Sequence, residues 1–133
     1  AMIVVDTNLW LRYLLNDAVA QARRVQRLLE TSPQLTMTPT ILLELVWVLE
    51  CSDCTRTEIL AALRHILGLG NMRLPNETAF FRAVHWFEQG LDFADALHLA
   101  LSPATASFIT FDKDFVNKAK RADAFPAVAL CPR

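Results

Sequence analysis

Residues 2–8 read MIVVDTN, and this stretch decides the fold. Four apolar residues in succession, three of them β-branched, end abruptly at an aspartate. β-Branched side chains favour strands, and an apolar run without alternation is typical of a strand that is buried on both faces in a parallel sheet. The chain is therefore expected to begin with a buried strand over residues 2–5 and to place Asp6 at its carboxyl end.

Beyond this strand, segments with helical periodicity alternate with short apolar segments. Helices are predicted over residues 9–15, 18–31, 40–50, 58–69, 76–90, 93–100 and from 114 onward, and further strands over residues 35–38, 72–74, 107–110 and 128–130. The polar pair Asn16 and Asp17 ends the first helix. Short strands that alternate with helices indicate an α/β fold with an open parallel sheet. Because the sequence holds no repeat or linker, a single domain over residues 1–133 is expected.

Composition excludes several classes of protein. Of the 133 residues, 53% are hydrophobic and 20% are charged, which is too apolar for a disordered chain. No apolar run reaches the roughly 20 residues that a membrane-spanning helix needs, so neither a membrane protein nor a signal peptide is expected. The 13 basic and 14 acidic residues give no basic excess, which disfavours, without excluding, a partner such as RNA. Three cysteines are too few for a disulfide scaffold, so we expect a cytoplasmic setting.

Aspartates follow two of the predicted strands. Asp6 follows the first strand, and Asp112 and Asp114 follow the strand over residues 107–110. The carboxyl ends of the strands in an open parallel sheet line the crevice where ligands bind. The alternative is structural, because aspartates and their polar neighbours often cap the helix that follows. Both interpretations stay open for Asp6 and Asp114.

Glu44 interrupts an otherwise apolar segment, since residues 41–49 read ILLELVWVL. This helix is expected to be buried nearly all round. A buried carboxylate without a partner is costly, so Glu44 would need a cation or a proton. An ion pair with Arg12 or Arg82 is the structural alternative.

A third acidic segment covers residues 90–98, which read GLDFADALH. Asp92 and Asp95 are three residues apart and share one side of a helical turn, where like charges repel unless a cation binds both. Asp92 is also well placed as a helix N-cap, whereas Asp95 is surrounded by apolar neighbours. His98 is expected to lie in the core or to support the ligands rather than to bind a metal itself.

Together these acids predict a metal site. Two carboxylates about 4 Å apart repel by about 4 kcal/mol at an effective dielectric constant of about 20, so four or more could not all stay ionised without a cation. Oxygen donors without a set of Cys and His ligands favour Mg²⁺ or Mn²⁺ over Zn²⁺. Cys51 and Cys54 form a C-x-x-C pair, but no further ligands at suitable spacing complete a zinc site.

Four segments resemble the acidic motifs of PIN-domain ribonucleases and, more narrowly, of VapC-type toxins of bacterial toxin–antitoxin pairs. The segments are VVDTN at residues 4–8, LEL at residues 43–45, DFADAL at residues 92–97 and TFDKD at residues 110–114. They occur in order over essentially the whole chain. The resemblance implies a three-layer α/β/α sandwich with a central parallel sheet of four to five strands, and metal-dependent cleavage of RNA.

The resemblance also implies roles for individual residues. The family's acidic quartet, expected to be catalytic by binding Mg²⁺ or Mn²⁺, is matched by Asp6, Glu44, Asp95 and Asp112. Positions that are acidic in some members are matched by Asp92 and Asp114. Polar positions beside the metal site are matched by Asn8 and Thr110. In the chemistry expected for such a site, Thr7, Asn8 and Thr110 orient water or a phosphate oxygen, and Arg12 contacts a phosphate. Further cations for the RNA are expected among the basic residues of the second and last helices.

Partners are expected from the apolar residues and from the resemblance. The apolar helix surface exceeds what one small core absorbs, which favours a homodimer and a hydrophobic groove for a partner. The residues concerned are Leu42, Val46, Trp47, Leu49, Leu63, Ile66 and Leu67. The resemblance implies an RNA substrate, with tRNA among the candidates, and a VapB-type antitoxin whose tail covers the active site.

Two other functions stay open. The first is phosphoryl transfer with Asp6 as nucleophile, a chemistry that usually has a second carboxylate two residues on, where this chain has Asn8. The second is a catalytically silent PIN-like binding module, in which the acids hold a structural cation.

Overall fold

The computed structural model describes residues 1–15 and 17–133, which divide into two compact units, Ala1–Pro75 and Asn76–Arg133. Within this part of the chain there are seven helices and four short strands, which confirms the predicted mixture of helices and strands. Asn16, predicted to help end the first helix, lies outside the described residues. The single domain over residues 1–133 stays a prediction.

The first unit contains two strands and four helices. They are β1 (Met2–Val4), α1 (Thr7–Leu15), α2 (Val19–Thr31), β2 (Gln34–Thr36), α3 (Pro39–Cys51) and α4 (Arg56–Leu67). β1 and β2 pair in parallel, with Ile3 opposite Leu35. The strand predicted over residues 72–74 is reduced to one parallel bridge between Leu35 and Met72. It extends no further because Pro75 has no amide hydrogen to donate.

β1 is not buried on both faces, so that prediction is wrong. Met2 and Val4 are 49% and 59% exposed, whereas Val5, just after the strand, is buried. Successive side chains of a strand point to opposite faces. The face that carries Ile3 and Val5 is covered, and the face that carries Met2 and Val4 is exposed.

The interior of the first unit is built largely from α3 and α4. Thr38 caps α3 by accepting the amide hydrogen of Ile41 at 3.2 Å, and Pro39 stands in the first turn, where its missing amide hydrogen costs nothing. Of the seven apolar helix residues expected to exceed the core, six are buried, and Trp47 is 64% exposed. The prediction that these apolar residues exceed what one core absorbs is therefore wrong, because α3 packs against both α1 and α4.

The second unit contains three helices and two strands. They are α5 (Glu77–Glu88), α6 (Phe93–Leu101), β3 (Ser107–Thr110), α7 (Lys113–Arg121) and β4 (Ala127–Leu130). α5 packs against α6, and β3 pairs in parallel with β4. Between the two helices, Gly90 has a φ of 114°, a left-handed conformation that favours glycine. This turn buries Leu91 and brings Asp92 to the start of α6.

The strands of the described residues form two parallel pairs, β1 with β2 and β3 with β4. A central sheet of four to five strands stays a prediction. None of the described helices combines the length and hydropathy that a bilayer-spanning segment requires.

We expect Asn71→Ala to lower the free energy of unfolding by about 1–3 kcal/mol, because it leaves two backbone carbonyls without their donor. The Asn71 amide donates to the carbonyl oxygens of Leu29 at 2.8 Å and Ser32 at 2.9 Å, where α2 ends. Urea denaturation measures the change. Asn117→Ala, at an exposed position of α7, is the control and should be neutral or slightly stabilising. Equal stability of the two variants would contradict the expectation.

Candidate functional site

In the first unit, Asp6 lies between β1 and α1. Its backbone carbonyl accepts the amide hydrogens of Leu9 and Trp10 at 3.1 and 3.3 Å, so the first turn of α1 forms on the Asp6 backbone. The Asp6 carboxylate is exposed and accepts no hydrogen bond within residues 1–15 and 17–133. The capping interpretation of this side chain is therefore not supported, and the carboxylate is available to a ligand.

Glu44 is exposed, so the prediction that its carboxylate is buried is wrong. α3 buries Leu42, Leu45 and Val46 and turns Glu44 away from them. The Glu44 carboxylate accepts a hydrogen bond of 2.6 Å from the hydroxyl of Thr7, a residue that is itself buried. Thr7 thereby fixes Glu44 against the start of α1.

Neither arginine proposed as a partner of Glu44 pairs with it. Arg12 forms an ion pair with Asp17 at 3.0 Å. Arg82, in the second unit, lies over the ring of Phe125, 4.6 Å from its centroid. The hydroxyl of Thr7 is therefore the partner that the structure gives Glu44 in place of a cation.

In the second unit, three carboxylates interact electrostatically. The pKa of Asp95 is raised above its ordinary value, chiefly because partial burial removes water from the charged form and then because of the negative charges of Asp92 and Asp112. The positive charges of His98 and Lys118 act in the opposite direction. The acids of this unit thus form a cluster whose negative charge is only partly compensated.

Asp92 and Asp112 stand at the N-termini of two different helices. Asp92 occupies the N-cap position of α6, but its side chain makes no capping hydrogen bond, so the capping interpretation of Asp92 is wrong. Asp112 does cap α7, because its Oδ1 accepts the amide hydrogen of Phe115 at 3.1 Å. The amide of Asp112 donates in turn to the hydroxyl of Thr110 at 3.1 Å, which fixes the turn after β3.

Asp114 and His98 differ from what the sequence predicts. Asp114 was a candidate cap of the last helix, but it lies in the first turn of α7, exposed and 3.8 Å from the ammonium of Lys118. Asp112 takes the capping role because it immediately precedes the first helical residue. His98 does not lie in the core, because it is exposed, with its ring stacked on Phe108 at a centroid distance of 6.4 Å; its alternative role in supporting the ligands stays a prediction.

A cavity between α1 and α2 contains two of the predicted supporting residues, Asn8 and Arg12. Gln21 and Arg24 line it from α2, together with apolar residues. The sequence predicts cations for RNA on α2, with a solvated helix face as the alternative, but it does not predict the cavity itself. The signal was the spacing of Gln21, Arg24 and Leu28, which places all three on one helical face.

The donor chemistry of the second unit fits a hard divalent cation. Carboxylates that repel one another gain from binding a cation, and Mg²⁺ and Mn²⁺ prefer oxygen ligands. Within residues 1–15 and 17–133, no group of three or more His, Cys, Asp or Glu side chains is arranged to hold a metal ion. The negative charge and the oxygen donors of Asp95, Asp92 and Asp112 are therefore what suits such a cation.

The raised pKa of Asp95 predicts a pH dependence of stability. A carboxyl whose pKa is higher in the folded than in the unfolded state contributes stability at low pH, and that contribution is lost as the pH rises through the folded-state pKa. In EDTA, Asp95→Asn should therefore gain stability relative to the parent protein between pH 4 and pH 7. Urea denaturation at both pH values measures this, and a stability difference between variant and parent that is the same at pH 4 and pH 7, or that moves against the variant as the pH rises, would contradict it.

Comparison with known proteins identifies the family to which the chain belongs. No curated protein and no solved structure is found to match the chain. The PIN domain family, whose members are generally nucleases, matches residues 3–121. This match includes Asp6, Glu44, Asp95 and Asp112, and it covers most of the 133 residues. The chain therefore belongs to the PIN domain family.

Proposed function

We propose that this protein is a metal-dependent endoribonuclease that acts as the toxin of a toxin–antitoxin pair. The observation that carries the proposal is the match of residues 3–121 to the PIN domain family, whose members are generally nucleases. The raised pKa of Asp95, to which the charges of Asp92 and Asp112 contribute, supports it. PIN-domain nucleases typically use divalent metals, and the oxygen donors favour Mg²⁺ or Mn²⁺. The toxin role is supported by the resemblance of the four acidic segments to VapC-type toxins.

The proposed metal ligands are those of the acidic quartet. Asp95 and Asp112 are supported by their electrostatic coupling in the second unit. Asp6 and Glu44 are assigned from the resemblance, and both carboxylates are exposed. Asp92 is a further candidate ligand because no capping hydrogen bond occupies it.

The chain's own residues orient these carboxylates. Thr7 donates to Glu44 and fixes its carboxylate, and Thr110 fixes the turn that presents Asp112. Oδ1 of Asp112 caps α7, which leaves its second oxygen for a ligand. Asp114 is the weakest candidate because it pairs with Lys118. A divalent cation held by these carboxylates would supply an activated water and would stabilise negative charge on the leaving oxygen of the phosphodiester.

The proposal also covers the fold of the chain, its partners and its location in the cell. A three-layer α/β/α sandwich around a central parallel sheet is compatible with the parallel pairing of β1 with β2 and of β3 with β4. The proposed substrate is RNA, with tRNA among the candidates, and the proposed inhibitor is a VapB-type antitoxin in the cytoplasm. Trp47, which is 64% exposed on α3, supports a homodimer as a large apolar contact residue.

Purified protein should cut a total-RNA preparation into discrete fragments in Mg²⁺ or Mn²⁺, and EDTA should abolish the cleavage. We expect Asp95→Asn to reduce the cleavage rate by at least about 100-fold, since changes outside the first coordination shell already cost about 10–100-fold at metal sites. Gel analysis of the fragments measures both effects.

Asp123→Asn is the matched control for this experiment. Asp123 is an exposed acid of the second unit with a φ of 52°, a conformation that asparagine tolerates well, so cleavage should be unchanged. Wild-type turnover in Asp95→Asn would refute the assigned metal site. Absence of cleavage by the parent protein, freed of any co-purified antitoxin, would favour the catalytically silent binding module.

Divalent cations should also stabilise the fold in a pH-dependent manner. Mn²⁺ binds the ionised carboxylates, so the rise in melting temperature on adding Mn²⁺ should be larger at pH 7.5 than at pH 4.5, where protons compete. Differential scanning fluorimetry measures the two shifts. Asp95→Asn should lose most of the Mn²⁺ effect, while Asp123→Asn should retain it. A shift that is independent of pH would count against the carboxylate cluster as the binding site.

A further inference from the structure

An open cavity of about 670 Å³ lies between α1 and α2 in the first unit. Asn8, Leu9 and Arg12 line it from α1. Its volume falls in the range of about 300–1,000 Å³ that is usual for sites that bind small ligands. Asn8 follows Asp6 by two residues, so the cavity begins next to the end of β1, where a proposed metal ligand lies.

The opposite side of the cavity is a single face of α2. Gln21, Arg24, Val25 and Leu28 line it and are spaced as residues on one side of a helix. Arg23 is exposed on the same helix but does not line the cavity. Two adjacent arginines of α2 therefore differ, since Arg24 lines the cavity and Arg23 does not.

The residues that line the cavity include two arginines and several apolar side chains. Arg24 forms no ion pair within the described residues. One terminal nitrogen of Arg12 bonds the carboxylate of Asp17 at 3.0 Å, and the guanidinium keeps its other donors. Guanidinium groups bind phosphate oxygens with matching geometry. Leu28, which is 38% exposed, offers apolar surface to the flat face of a base.

We propose, on the basis of the proposed function, that this cavity binds one nucleotide of the substrate RNA. Arg12 and Arg24 contact its phosphate, and its base lies against Leu28. Asn8 and Gln21 have amide groups that can donate to and accept from a base edge. A ligand that carries both a phosphate and a flat ring suits these lining residues better than a free anion does, because a free anion makes no contact with the apolar side chains.

The phosphate contact is tested by comparing Arg24→Gln with Arg23→Gln. Both changes are made in Asp95→Asn protein, so that the RNA is not cut, and fluorescence anisotropy follows a fluorescein-labelled 12-nucleotide single-stranded RNA at several KCl concentrations. Arg24→Gln should weaken binding about fivefold or more and reduce the slope of log Kd against log[KCl] by about 0.7, the value for one phosphate contact with a single strand. Arg23→Gln should change the affinity less than about twofold.

The apolar contact is tested by Leu28→Asn, with Val19→Asn as its control. Both side chains are exposed on α2, at 38% and 57%, so neither change should unfold the protein. Leu28→Asn should weaken RNA binding while leaving the salt slope unchanged, because no charge is removed. Val19 does not line the cavity, and its variant should bind like the parent.

Cleavage kinetics separate this proposal from the proposed function. In protein with its catalytic acids intact, Arg24→Gln should raise KM for RNA with kcat little changed. If the parent cuts RNA but the Arg24→Gln and Arg23→Gln variants have the same KM and the same salt slope, the cavity site is overturned and the nuclease function is not. RNA binding that depends on Arg24 but not on Arg23, in a protein that cuts no RNA, would support the cavity site and refute the nuclease. Equal losses in the two arginine variants would indicate diffuse charge and overturn the cavity site.

Discussion

The candidate site depends on the electrostatic repulsion between carboxylates, one of which, Asp95, is partly buried. Burial and the charges of Asp92 and Asp112 both raise the pKa of Asp95, and the positive charges of His98 and Lys118 offset only part of this effect. The cluster can relieve its repulsion by taking up a proton or by binding a cation. Protonation and folding stability are therefore coupled at this one carboxyl, and a cation bound there, as proposed, would compete with the proton.

The two acidic neighbours of Asp95 lie at helix N-termini. Asp92 and Asp112 each precede a helix, where the backbone dipole and the free amide hydrogens favour negative charge. Asp95 lies inside the first turn of α6 and is the more buried of the three acids. Asp95 is the one of the three acids whose surroundings favour the protonated form. Capping and ligand binding do not exclude each other at Asp112, since one carboxylate oxygen serves the helix and the second stays available.

The sequence predicts most helix and strand positions to within a few residues, because their signals are local. Pro39, with its cap Thr38, marks the start of α3, and Asn76 caps α5 in the same way. The side-chain directions at Glu44 and Val4 could not be predicted. Both residues lie in runs that are apolar on every side, so no amphipathic pattern says which face turns outward, and only packing against other elements decides.

Net charge says little about how cationic side chains are distributed over the surface of this chain. The chain carries a formal charge of -1, yet α1 and α2 place Arg12 and Arg24 around one cavity. Two phosphate contacts with a single strand give a salt slope of only about -1.4, much weaker than that of strongly basic proteins that bind nucleic acids. Affinity from so few contacts is small. Recognition of RNA by this chain would therefore rest on the fit of a nucleotide into the cavity, through groups such as Leu28, more than on attraction at a distance.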